Sequence, residues 1–203
     1  QLRDATVVAN PGCYPTAILM ALVPLAKRGL IAPAGTVNAT AASGVTGAGL
    51  TARTDLLFGE VTEDFRAYGI ANTHRHLAEM RAVLEGAGAE ADLIFTPHLL
   101  PVARGILATI TVPVTETIPD PLSPWRDEFA GEPFVEVTPE PPSLRDVVRR
   151  NVVRISARYV AGVRQPTLLI LSAIDNLVKG AAGQAVQNAN VVLGLDEPMG
   201  LPA

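Results

Sequence analysis

Apolar residues recur along this chain with two different periods, and the alternation between them sketches the fold. "TAILMALVPLAKRGL" (residues 16–30) keeps apolar side chains at helical spacing and predicts a helix, with Gly29 placed to end it and Pro24 expected to kink it. "HRHLAEMRAVLEGAG" (74–88) predicts a second helix with a glycine-rich exit, "SPWRDEFAGEP" a short third one, and "NLVKGAAGQAVQNANVVLGL" a last one rich in small residues. Between them lie short β-branched and apolar runs of strand length: "ATVVAN", "GTVNATAA", two strands within "ADLIFTPHLLPVARGILATITVPV", and the edge-like "PFVEVTPEPPS". "VVRISARYVAG" and "QPTLLILSAI" predict an antiparallel pair joined near Gly162. Residues 51–68 carry no clear period. Several connections are too short for a parallel crossover. The expected class is α+β, a mixed and largely antiparallel sheet with helices mainly on one face.

Composition narrows the partners. Of the 203 residues, 48% are hydrophobic and 18% charged, the balance of a folded domain. A formal charge of −4 supplies no basic field to draw the chain to nucleic acid or an anionic membrane. The single cysteine makes no internal disulfide, no charged-then-apolar signal pattern opens the sequence, and the apolar runs are too short or interrupted to span a bilayer. These features predict a soluble, cytoplasmic protein. The opening "QLRDATVVAN" lacks a Met and enters strand-like sequence at once, which predicts a longer parent protein.

That one cysteine stands in "NPGCYPT" (10–16), ahead of the first helix. A thiol at a helix start meets unpaired N–H groups and the positive end of the macrodipole, both of which favour thiolate. Pro15 suits the first helical turn and Gly12 suits a tight entry. The residues alone leave two readings for Cys13, a nucleophile or a small buried hydrophobe.

"HRHLAEM" forms a second cluster. His76 and Glu79 stand at i and i+3 on one helix face, where a carboxylate can fix the imidazole as a general base. Taken alone, the segment reads better as a solvated helix start with ordinary charged residues. Zinc is disfavoured, because His98 is remote in sequence and no further ligand cluster accompanies the two histidines. The loop "SGVTGAG" (43–49) can bring N–H groups close to an anion, yet no strand-GxGxxG-helix dinucleotide fingerprint is present.

"NPGCYPT", "HRHLAEM", "SGVTGAG", "FTPHLLPVARGILATI" and "SAIDNLVKGAAGQAVQNANVVLGL" together resemble the N-acetyl-gamma-glutamyl-phosphate reductases, relatives of the aspartate-semialdehyde and glyceraldehyde-3-phosphate dehydrogenases. The resemblance covers nearly the whole chain. It implies the C-terminal domain fold of that group and an NADPH-dependent reduction of an acyl phosphate through a Cys13 thioacyl intermediate. It also implies proton transfer by His74 or His76 with Glu79. Ser43, Gly44, Asn176 and Gly180 would lie beside NADP, with Asn176 near the nicotinamide carboxamide. Asn10, Thr46, Arg53 and Arg104 would lie beside a small acyl-phosphate substrate; Arg104 reads equally as a turn residue. By the same resemblance, residues 1–175 form a catalytic and oligomerisation domain of a homotetramer. Residues 176–203 form a helix that packs on a Rossmann domain preceding the cysteine. Alone, the chain is expected to bind NADPH weakly and to turn over negligibly.

The sequence departs from the reductase pattern at Leu77-Ala78, where Thr-Pro is usual, at Leu50, where a basic residue is usual, and at Val153, where a second cysteine often stands. Rival readings are the same chemistry on a carrier-bound aminoadipyl or glutamyl phosphate, a cofactor-free cysteine hydrolase or acyltransferase, and a non-catalytic assembly module.

Overall fold

A seven-stranded sheet organises the chain in the computed structural model, which describes residues 2–49 and 51–202. Its strands are β1 (Thr36–Gly44), β2 (Arg66–Ala67), β3 (Asp92–Leu100), β4 (Ile106–Pro113), β5 (Val135–Val137), β6 (Val153–Tyr159) and β7 (Thr167–Ile174), in the spatial order β2-β3-β1-β4-β7-β6-β5. Four neighbouring pairs are antiparallel and two, β1 with β3 and β5 with β6, are parallel. The sheet is mixed and largely antiparallel, as the run lengths predict. The parallel β1–β3 pair is closed by a crossover that carries the short α2 (Phe58–Val61) and α3 (His76–Gly86).

Helix α1 (Cys13–Lys27) is the central packing element. Ala17, Ile18, Ala21, Leu22 and Leu25 are all fully buried in it. The helix runs through Pro24 without a break and ends in a Schellman turn: Gly29 at φ 64° donates to Ala26 O and Leu30 to Leu25 O. On the same sheet face lie α3 and the short α4 (Ser123–Glu128). From α4 the fully buried Trp125 donates its indole N–H to Ala21 O across 3.0 Å. Strand alternation supplies the other half of this core, Val37, Ala39 and Ala41 from β1 and Ile106, Ala108, Ile110 and Val112 from β4. The opposite face is covered at one end by a smaller cluster of Phe134, Val147, Val152 and Ala173. Along β1, β3 and β4 that face leaves Asn38, Thr40, Ile94 and Thr109 exposed.

Two elements differ from expectation. "ATVVAN" is irregular: no described strand lies beside it, Val7 is 87% exposed, and Asn10 ties the segment to the C-terminal part instead. The last helix begins as a π-turn over Val178–Ala182 before continuing as α5 (Gly183–Val192). Among the described residues no helix is long and apolar enough to cross a membrane.

Candidate active site

Cys13 is the first residue of α1, and the turn that presents it is clamped from outside. Gly12 is the N-cap in extended conformation and no side chain caps it. Its N–H is taken by Glu79 Oε1 at 3.2 Å. Its carbonyl accepts both the N–H and the hydroxyl of Thr16 at 2.9 Å. Glu79 therefore fixes the turn before Cys13 rather than pairing with His76. The i, i+3 spacing places it near His76, but the Gly12 N–H is an unsatisfied donor and takes the carboxylate.

The histidines separate by their surroundings. His74 Nδ1 accepts the backbone N–H of His76 at 3.2 Å, and its ring packs edge-on against Tyr14, Tyr68 and Phe95. His76 lies over Gly12, so close that a Cβ there would stand 2.6 Å from Nε2. Its Nδ1 is buried with no hydrogen-bond partner. Burial, with help from His74 and Arg75, lowers His76 to about 4 and moves His74 in the same direction. Both rings are neutral near pH 7, and His76 offers its Nε2 edge to the cysteine turn. His98 is elsewhere, stacked on Phe65.

The thiol departs from the simple helix-start expectation. Burial raises Cys13, outweighing the Tyr14 and Cys13 N–H groups and the Arg75 charge, which lower it; Glu79 adds to the rise. At neutral pH the pair is a thiol beside a neutral imidazole, not a thiolate–imidazolium pair. Alkylation of Cys13 by iodoacetamide should therefore accelerate with pH through the region above the free-thiol value of ~8.5. A rate plateau reached below neutrality would contradict this ordering.

Gly180 explains part of that burial. Its α-carbon packs so tightly on Cys13 that an added Cβ would lie 2.8 Å from Cys13 Cβ and 3.1 Å from Ile174 Cδ1. The π-turn brings it there, with Gly180 N–H donating to Asp175 O at 2.9 Å.

A cavity of ≈ 360 Å³ opens beside Cys13. Tyr14 and Tyr68, hydroxyls 2.8 Å apart, line one side, and Ser43, Gly44, Gly47 and Ala48 another. The volume suits a small acyl ligand and falls short of a whole dinucleotide.

Several residues expected at ligands are committed elsewhere. Asn176 is buried; its Oδ1 accepts Gly105 N–H at 2.7 Å and its Nδ2 donates to Thr46 Oγ1 at 3.0 Å. Thr46 Oγ1 in turn donates to Ala103 O. The N–H groups of Gly44, Val45 and Thr46 are taken by the carbonyls of Gly105, Val102 and Ala103, so this part of the glycine loop offers no anion cradle. Ser43 reaches the cavity wall with its hydroxyl on Gly44 O. Asn10 bonds Ala181 O and Asn188, away from the cavity. Arg104 lies outside the cavity lining, 3.6 Å from Asp175. Arg53 does line it, held bidentate by Asp55. Leu50 lies outside the described residues.

The sequence reading passed over Arg75, Tyr68 and Asp175. Arg75 stands between the two histidines, and Asp175 precedes a glycine-rich turn, a position where a carboxylate commonly caps.

Residues 13–176 match the family described as semialdehyde dehydrogenase, dimerisation domain. Curated relatives named N-acetyl-gamma-glutamyl-phosphate reductase include those of Geobacter metallireducens, 44% identical over 99% of this chain and 59% of the relative, and Ectopseudomonas mendocina, 46% identical over 98% and 58%. The chain thus spans under two thirds of their length. Among solved structures, aspartate semialdehyde dehydrogenase II of Vibrio cholerae superposes with a TM-score of 0.71 at 19% identity, over 92% of this chain and 62% of that one. A probable aspartate-semialdehyde dehydrogenase of Pseudomonas aeruginosa gives 0.72 at 18%, with the same coverage. These two likenesses support the fold.

Proposed function

From the premise that the chain belongs to the semialdehyde dehydrogenase dimerisation-domain family, we propose that it is the acyl-transfer and assembly part of an NADPH-dependent reductase of N-acetyl-glutamyl 5-phosphate, acting in arginine biosynthesis in the cytoplasm. The observation that carries this reading is the juxtaposition of a partly buried helix-start thiol, a neutral imidazole over its turn and a small cavity beside both.

In the acyl-transfer half, Cys13 Sγ attacks the acyl carbon, the thiol proton passes to His76 Nε2, and the carbon–oxygen bond to phosphate breaks. The product is a thioacyl-enzyme and inorganic phosphate. A thiol held neutral until attack is matched to a base that is also neutral, and the N–H groups at Cys13 and Tyr14 stabilise negative charge as it appears. His74 orients the base by accepting the His76 N–H, and Glu79 holds the turn.

The described residues do not fit a dinucleotide. The cavity is too small, Asn176 is committed internally, and the sequence carries no GxGxxG turn. In this reading NADPH would supply reducing power and would be held mainly by another part of a longer protein. Helix α5 leaves Ala182, Ala185, Val186 and Ala189 outward at helical spacing, a face suited to packing on that part. The open sheet face along β1, β3 and β4 is assigned to contacts between copies in a homotetramer.

The test is the reverse reaction of the protein with its cofactor-binding part. N-acetyl-glutamate semialdehyde should reduce NADP only when phosphate is present. Release of phosphate from the acyl phosphate with no cofactor consumed would instead identify a hydrolase.

A further inference from the structure

Three arginines line the cavity beside Cys13, and their surroundings differ. Arg53 is held by both carboxylate oxygens of Asp55, at 3.0 and 2.7 Å. Arg66 is held by Asp64 and by the carbonyls of Glu60 and Asp55. The side chain of Arg75, the N-cap of α3, makes no hydrogen bond or ion pair with any described residue. It is exposed toward solvent and cavity, and it sits between the two histidines in sequence, next to the His76 ring that covers the cysteine turn.

A guanidinium beside two imidazoles lowers their basicity, and one left unpaired beside a nucleophile gains nothing for the fold by standing there. Both costs are offset if the cavity receives an anion during the reaction. Arg53 and Arg66 already have carboxylate partners, so the unmatched charge in this cavity is that of Arg75. It lines the cavity together with Cys13, His74 and His76, and its charge acts on all three.

We propose that Arg75 is the anion anchor of the Cys13 cavity, binding the phosphoryl oxyanion of an acyl phosphate as the thiol attacks. The substrate class rests on the reductase reading above; the anion preference of the cavity does not. A planar fork with free donors suits a phosphoryl group, and its charge stabilises the phosphate as it leaves.

The experiment compares alkylation of Cys13 in the full chain by iodoacetate, an anion, and iodoacetamide, its neutral counterpart. In the wild type the ratio of the two rates should exceed that in Arg75→Met by about tenfold at low salt. Arg53→Met makes the same change in net charge within the same cavity and should move the ratio far less. Arg75→Lys should recover part of it, and its thermal unfolding beside that of Arg75→Met separates anion loss from misfolding. Inorganic phosphate should protect Cys13 from iodoacetamide in the wild type and not in Arg75→Met. An unchanged ratio in Arg75→Met, or equal losses in Arg53→Met and Arg75→Met, overturns the assignment. So does protection through Arg75 by N-acetyl-glutamate but not by phosphate. If the anion preference holds and the semialdehyde fails to reduce NADP, the reductase reading falls and the anchor stands.

Discussion

Asp175→Ala is expected to destabilise the protein by about 3–5 kcal/mol, a large part of the stability of a domain this size. The side chain is fully buried just after β7, and its two oxygens serve three backbone donors. Oδ1 accepts the N–H groups of Leu177 and Val178 at 2.7 and 3.0 Å. Oδ2 accepts that of Arg149 at 2.7 Å and faces the Arg104 guanidinium at 3.6 Å. Arg149 holds φ at 69°, a left-handed conformation costly for a residue with a Cβ, and the Asp175 bond is part of what retains it. Alanine would leave three backbone donors without their acceptor. The Arg104 contact adds little, because that side chain is 37% exposed and solvent screens it. Asp175→Asn keeps one acceptor oxygen and should lose less. Urea midpoints at constant slope would measure both variants; a shift under 1 kcal/mol in Asp175→Ala would show that water replaces the carboxylate.

The second large effect is chemical. Cys13→Ala should lower turnover in the proposed reduction by on the order of 10⁴-fold or more, because a covalent route loses its nucleophile and this sequence carries no second cysteine to replace it. The fold should tolerate the change. Cys13 Cβ packs on Gly180, and alanine keeps that atom while removing only the sulfur. Steady-state kinetics together with unfolding of the same variant separates the two effects. Residual turnover within tenfold of wild type would remove Cys13 from the mechanism.

What the sequence disclosed and what it withheld follow from the range of the interactions. The helix start at Cys13, the stop at Gly29 and the β6–β7 pair are set by residues a few positions apart, and the structure has them where the pattern placed them. The strand order was out of reach, since β1 pairs with β3 only across the α3 crossover. The partner of Glu79 was misread for the same reason: the i, i+3 rule sees His76, whereas the acceptor meets Gly12, 67 residues away. Cys13 shows a competition that local sequence states only in part. Helix-start N–H groups lower the thiol as expected, but burial under Gly180 and its neighbours outweighs them, and that burial depends on the π-turn at 178–182. The resemblance matches Asn176 to a ligand, whereas the structure shows one bond from each end of its amide to the 105 and 46 loops, contacts no motif announces.

The central claim is that Cys13 carries the acyl group, and intact-mass spectrometry after acid quench tests it without a reductant. The protein incubated with N-acetyl-glutamyl 5-phosphate should gain one acyl adduct, localised to Cys13, removed by hydroxylamine and absent in Cys13→Ala. Phosphate release with no adduct, or an adduct on another residue, would contradict it.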